Sequence, residues 1–290
     1  MEGFYTALGT PIDEQGNFIS TSFKKQVEDQ IDAGALGLLA LGSMGMQPCI
    51  KNADCRKVAE AAVEAAKGRC QIVVGVMDNS VSRVMDRIDQ LSGVKIDGVV
   101  ATTPFYETAT PQELISFFKG IAARSPFPVY LYDLPSATKL KITPSIVSQL
   151  MSVQNIKGIK TADMVLGRKI MTNPATRSDF QILCSNLDAI DFAYKGGLKI
   201  GLDGMFTMTP SLIADAYTCM KSGDFTKAAK LINDILSLRD VLVDVEVFPG
   251  FTHAMNLLGY EGLFQPDYAP LLTDSQKEKV RNAMQSSGVL

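Results

Sequence analysis

The sequence predicts an α/β fold, a (β/α)8 TIM barrel with a C-terminal helical extension. Three observations carry this reading. Eight short apolar runs recur every 20 to 35 residues or so through roughly the first 220. Helix-like stretches separate them, and the first strand-to-helix turn lacks the glycine fingerprint of a doubly wound open sheet. A chain of 290 residues, 46% of them hydrophobic, suffices for a barrel over residues 1–222 and an extension over 223–290.

In order, the strand-like runs are Phe4 to Leu8, Leu38 to Ser43, Ile72 to Val76, Gly98 to Thr102, Val129 to Tyr132, Ile156 to Lys160, Gln181 to Cys184 and Ile200 to Gly204. Amphipathic segments between them include Ser22 to Ala33, Asp54 to Ala66, Ser80 to Leu91, Pro111 to Ala123 and Pro144 to Met151. Thr110-Pro111-Gln112-Glu113 offers an N-cap, a first-turn proline and an acid near the positive end of the helix dipole, and Thr143-Pro144 repeats the device. After Pro210 the strand signals stop. Ser211 to Met220 reads as the last barrel helix, with Phe225 to Val243, Phe251 to Leu258 and Ser275 to Met284 as the extension.

Composition removes several function classes. A net charge of −3 without clustered Lys or Arg gives nucleic acid no footing, and the apolar runs are too short to cross a membrane. The N-terminus enters a strand at Phe4 with no signal-peptide layout, and the five cysteines are dispersed as reduced thiols would be. A cytoplasmic protein is the expectation. The one histidine, His253, rules out a multi-His metal centre and argues against Ser-His-Asp or Cys-His catalysis. Lying beyond the barrel, it reads as structural.

Lys160 stands out. It ends the run Ile156-Lys157-Gly158-Ile159-Lys160, in which alternation puts Gly158 and Lys160 on one face and Ile159 on the other. In a closed barrel that places an amine in the interior. Burial disfavours the ammonium form, and a neutral amine is a nucleophile able to form a Schiff base with a carbonyl compound. A surface lysine at a strand end is the alternative at this point. Other strand ends favour the first reading, because in this fold they line the active site. The second run ends in Gly42-Ser43-Met44-Gly45, whose backbone N–H groups can approach an anion. The fourth leads into Thr103-Pro104-Phe105-Tyr106, which would place a phenol over the mouth, and the fifth ends at Tyr132 with Tyr130 deeper as filler. An amine, two phenols and an anion-holding turn form a kit for carbinolamine chemistry.

Ala7-Leu8-Gly9-Thr10-Pro11, Gly42-Ser43-Met44-Gly45, Thr103-Pro104-Phe105-Tyr106, Tyr132-Asp133-Leu134-Pro135 and Gly158-Ile159-Lys160, in that order, resemble the dihydrodipicolinate synthase and N-acetylneuraminate lyase family of pyruvate-dependent class I aldolases over nearly the whole chain. The resemblance implies that Lys160 is the Schiff-base lysine, Tyr132 the proton-transferring phenol, Ser43 the relay hydroxyl, and Tyr106 the tyrosine that crosses a tight dimer interface. It further implies a homotetramer built from two such dimers, acting without metal or organic cofactor on pyruvate and an aldehyde or sugar-derived 2-oxo acid.

The chain also departs from the family pattern. The family turn usually reads Gly-Thr/Ser-Thr-Gly-Glu, whereas here Met44 and Met46 replace a hydroxyl and a carboxylate. The synthases carry an arginine five residues past the catalytic tyrosine, where this chain has Ala137. Asp133 replaces the usual asparagine, and Asp203-Gly204 fall where small residues face a sugar-acid pocket. The expectation is therefore an N-acetylneuraminate-lyase-like enzyme, with Gly42, Met44 and Gly45 at the pyruvate carboxylate and Thr138, Asp133, Asp203 and Gly204 toward a polyol. Dihydrodipicolinate synthase, a hydratase-aldolase, a 2-keto sugar acid dehydratase and a non-catalytic metabolite-binding barrel are the alternatives.

Overall fold

Each of the eight apolar runs is a strand, and the strands pair in parallel, in chain order, until the last closes on the first. In this computed structural model, which describes all 290 residues, they are β1 (Gly3–Ala7), β2 (Gly37–Ala40), β3 (Gln71–Gly75), β4 (Gly98–Thr102), β5 (Val129–Asp133), β6 (Ile156–Thr161), β7 (Gln181–Cys184) and β8 (Ile200–Asp203). The helices around them are α1 (Ser20–Asp32), α2 (Asn52–Ala66), α3 (Val81–Gln90), α4 (Pro111–Arg124), α5 (Pro135–Thr138), α6 (Pro144–Leu150), α7 (Met164–Met171), α8 (Ile190–Lys195) and α9 (Pro210–Ser222). The extension is α10 (Phe225–Val245), α11 (Val247–Leu257) and α12 (Asp274–Ser286), with α10 packed along α9 and flanked by the other two. The Thr110–Glu113 pair forms a complete capping box on α4, and Thr143 caps α6.

Two apolar layers follow from strand alternation. Outward residues such as Leu38, Val99, Leu131 and Ile159 join the large core beneath the helices. Inward residues form a smaller cluster containing Tyr5, Leu39, Val73, Val100, Tyr130, Tyr132, Leu183 and Leu202. Tyr5 and Tyr130 plug the floor, bonding Gln71 and Gln181 respectively. A register shift between β5 and β6 leaves Lys157 out of the ladder, where it pairs with Asp179 at 2.6 Å. Gly158 then sits opposite Tyr130 and Lys160 opposite Tyr132.

The second strand is shorter than its apolar run. It ends at Ala40 because Leu41 adopts a left-handed conformation, φ +54°, and turns the chain into Gly42-Ser43. The turn is seated against β3, where a Cβ placed on Gly75 would lie 1.9 Å from the Leu41 carbonyl oxygen. Only glycine admits that approach.

Candidate active site

Lys160 lies inside the barrel, 3% exposed, with Nζ 4.2 Å from the centre of the Tyr132 ring. The Tyr132 hydroxyl is 3.0 Å from Ser43 Oγ. These three groups come from β6, β5 and the turn after β2, and they share a cavity of about 330 Å³ with Met44, Ser185, Asp203 and Gly204. Beyond Ala7 and Met205 of the barrel, the remaining wall comes from the extension, through Arg239, Leu242 and Val243 of α10 and Val247, Phe248 and Phe251 of α11.

Lys160 forms no ion pair, and Asp203 is the one carboxylate that shares its cavity. Asp133 and Asp163, the acids flanking Lys160 on β5 and just beyond β6, are both bound by Lys141, the latter at 3.0 Å. Asp133 also accepts from the Ile142 N–H at 3.0 Å and the Thr161 hydroxyl at 2.8 Å, so it clamps the residue after Lys160 from the outer face. Burial pushes the Asp203 carboxyl up, against the Met205 N–H that it accepts (2.8 Å) and the charge of Lys160. A buried amine without a carboxylate partner, near a hydroxyl pair, is arranged for nucleophilic attack on a carbonyl and for proton transfer around it.

The turn after β2 leaves two backbone donors without partners. Its own backbone hydrogen bonds begin at Met46, which donates to the Ser43 carbonyl at 3.1 Å, and the N–H groups of Ser43 and Met44 have no backbone acceptor. Such free donors fit a carboxylate. Met44 extends over Gly204, where a Cβ would lie 2.8 Å from its Cγ and Sδ. The thioether therefore occupies cavity space that a side chain at 204 would otherwise fill.

Several expected site residues fall elsewhere. Gly42 and Gly45 do not line the cavity, and the Gly45 carbonyl is held by the Thr10 hydroxyl at 2.8 Å. Thr138 does not line the cavity; its hydroxyl accepts from Thr103 at 2.8 Å and faces the Leu134 carbonyl at 3.1 Å. The Asp133 carboxylate is likewise spent on protein partners. The Asp133 side chain leaves the end of β5 on the helix side, and Thr138 lies beyond the strand, at the end of α5. Tyr106 is 83% exposed and does not line the cavity of its own chain; the Asn79 side chain holds its loop by accepting the N–H groups of Phe105 and Tyr106 at 2.8 Å each. His253, on α11, lies outside the cavity.

Sequence reading missed Ser185, Lys141, Asn79 and the whole α10–α11 wall. Nothing in the local pattern of α10 marks Arg239 as different from other helix-surface residues. No group of three or more His, Cys, Asp or Glu side chains is placed to hold a metal ion, and no helix is long and apolar enough to cross a membrane.

Comparison with known proteins decides the family. A profile of the dihydrodipicolinate synthetase family matches residues 1–286. The chain belongs to that family. Membership makes it an enzyme of the class I, lysine Schiff-base lyase type. Among curated relatives, a 4-hydroxy-tetrahydrodipicolinate synthase of Rhodopseudomonas palustris (strain BisA53) is 28% identical over 291 residues, covering 99% of this chain and 97% of the relative. A protein of the same name from Acidiphilium cryptum (strain JF-5) is 27% identical over 290 residues, covering 99% of each. Among solved structures, dihydrodipicolinate synthase of Thermotoga maritima superposes with a TM-score of 0.91 at 23% identity, covering 100% of this chain and 99% of that one. A prophage protein of the dihydrodipicolinic acid synthase family from E. coli K12, in complex with pyruvate, gives 0.91 at 21% identity with the same coverage. These structures share the fold.

Proposed function

We propose that the chain uses Lys160 to bind pyruvate as a Schiff base and joins it to, or releases it from, an aldehyde. The observation that carries this is the buried, unpaired Lys160 amine beside the Tyr132 ring, with the Tyr132 hydroxyl bonded to Ser43. Lys160 Nζ attacks C2 of pyruvate, and the carbonyl oxygen takes a proton from Tyr132 to give the carbinolamine. Loss of water leaves an iminium, and removal of a C3 proton gives the enamine that adds to the aldehyde carbon. Ser43 supplies or receives the proton that Tyr132 exchanges, while the Ser43 and Met44 N–H groups hold the carboxylate. Exposed Tyr106, on the loop fixed by Asn79, suits the role the resemblance gives it across a dimer, within a cytoplasmic homotetramer. A solved relative, described as a monomeric dihydrodipicolinate synthase variant, is 24% identical, so sedimentation mass is the measurement for assembly.

For the aldehyde, the names of the relatives favour dihydrodipicolinate synthesis over the sugar-acid lyase reading. The polyol contacts expected of Thr138 and Asp133 also face away from the cavity. Against synthesis stands Ala137 in place of the arginine that grips the second carboxylate. The decisive experiment for the shared chemistry is borohydride reduction of the protein with pyruvate. A mass gain on the Lys160 peptide, absent in Lys160→Ala, is expected; an unmodified wild-type peptide refutes the covalent reading.

A further inference from the structure

The cavity above Lys160 has two unlike walls. The barrel side carries Ser43, Tyr132, Lys160, Ser185 and Asp203, whereas the extension contributes Leu242, Val243, Val247, Phe248 and Phe251. Met44 continues this apolar surface from the barrel side, in the place where the family pattern has a hydroxyl. Val243 and Val247 are 60% and 42% exposed at the cavity rim. Exposed hydrocarbon continuous with a reactive amine points to a ligand that covers it.

The one charged group that the extension brings to the cavity is already partnered. Arg239 donates to Asp188 at 2.6 Å and to Asp240 at 2.8 and 3.1 Å. One cation between two carboxylates leaves no surplus positive charge for an acidic aldehyde. Asp203 is bound to the Met205 N–H. A polyol laid against the extension would leave hydroxyls facing side chains that cannot bond them, a loss of about 1–3 kcal/mol for each one buried.

We propose that the aldehyde partner carries an aliphatic or aromatic substituent, seated on the α10–α11 wall beside Met44. This rests on the Schiff-base reading and names the substrate class for the same site. The enamine C3 of Lys160-bound pyruvate attacks the aldehyde carbon, forming the C–C bond. The aldehyde oxygen takes a proton from Tyr132, and water then hydrolyses the iminium. Lys160 is freed together with a 4-hydroxy-2-oxo acid bearing the apolar group. The reverse sequence cleaves that acid into pyruvate and the apolar aldehyde.

The test uses the wild-type protein with pyruvate and, in turn, hexanal, benzaldehyde, glyceraldehyde, N-acetylmannosamine and aspartate semialdehyde. Product 4-hydroxy-2-oxo acid is measured by mass spectrometry, and borohydride trapping of pyruvate is run in parallel. We expect kcat/KM for hexanal or benzaldehyde to exceed that for each hydrophilic aldehyde by about tenfold or more, the lower end of what one methylene in an apolar pocket achieves. Val243→Asn and Val247→Asn should lower kcat/KM for the apolar aldehyde about tenfold more than they lower that for glyceraldehyde. A trapped pyruvate adduct with equal or better use of a hydrophilic aldehyde overturns the inference and leaves the Schiff-base reading standing. Absence of any trapped adduct in the wild type overturns both. Variants that change sedimentation mass and leave every kcat/KM unchanged would make the wall a surface between copies, which also overturns it.

Discussion

Gly75→Ala probes the site from a strand that supplies none of its reacting groups. Gly75 ends β3, and a Cβ there would stand 1.9 Å from the Leu41 carbonyl oxygen and 2.7 Å from its carbon. Contacts of a Cβ under 3.0 Å are not tolerated, so the carbonyl must retreat from 1.9 to 3.0 Å, by at least 1.1 Å. Leu41 is buried and already held at φ +54°, so the displacement passes along the chain to Ser43, two residues on. The 3.0 Å contact between Ser43 and Tyr132 has no room for such a shift, because a hydrogen bond stretched by about 1 Å is lost. A misplacement of that size costs a catalytic site about 10²-fold in rate. The overpacking itself should cost about 1–3 kcal/mol of stability. Melting temperature should fall by about 2–4 °C for each kcal/mol lost. The assay is the rate of borohydride-trapped pyruvate adduct on Lys160, which needs no aldehyde, with circular dichroism melting in parallel. A folded Gly75→Ala protein that traps pyruvate at the wild-type rate would refute the argument.

Three further perturbations test other links. Tyr132→Phe should lower kcat by about 10² or more with pyruvate affinity within a few-fold, the usual share of a general acid–base group; lost affinity at unchanged kcat would make Tyr132 a binding residue instead. Asp133→Ala leaves the Thr161 hydroxyl and the Ile142 N–H without their acceptor, so urea denaturation should show a loss of about 2–4 kcal/mol, and an unchanged midpoint would contradict the clamp. Burial opposes ionisation of Asp78, but hydrogen bonds from Arg83 (2.5 Å) and the Asn79 N–H (2.8 Å), with the charge of Arg87, outweigh it and hold the carboxyl below the usual carboxylate range. Its stabilising contribution is therefore complete above about pH 4 and is lost as pH falls further, through the folded-state value. Asp78→Asn should flatten that acid limb of the stability profile, and an identical slope in the variant would exclude Asp78 as its source.

The barrel was legible because each strand is a local apolar run with period-two alternation, and β6 shows it best. Ile159 goes to the outer core and Lys160 to the interior, as parity requires. Alternation also separates Tyr130, bonded at the floor to Gln181, from Tyr132 at the level of Lys160. The short crossover helices were harder. Eight residues in α7 and six in α8 are too few to display a 3.6-residue period.

What the sequence by itself determined is which residues stand together at the barrel mouth. Lys160, Tyr132 and the Gly42–Gly45 turn follow from strand parity and strand ends, which are properties of contiguous residues. Only the tertiary structure decided which other groups surround them. The left-handed turn at Leu41 depends on Gly75 of the next strand, and the side chains of Asp133 and Asp163 are drawn together by Lys141 from the loop after α5. Asp133 and Thr138 fall outside the cavity because residue type reveals neither which way a side chain at a strand end turns nor where the short helix after it points. The α10–α11 wall lies about 80 residues beyond Lys160 in the chain, and an amphipathic helix does not state in its sequence which barrel mouth it will cover. That placement comes from docking the extension onto α9, a long-range packing event set by the whole core.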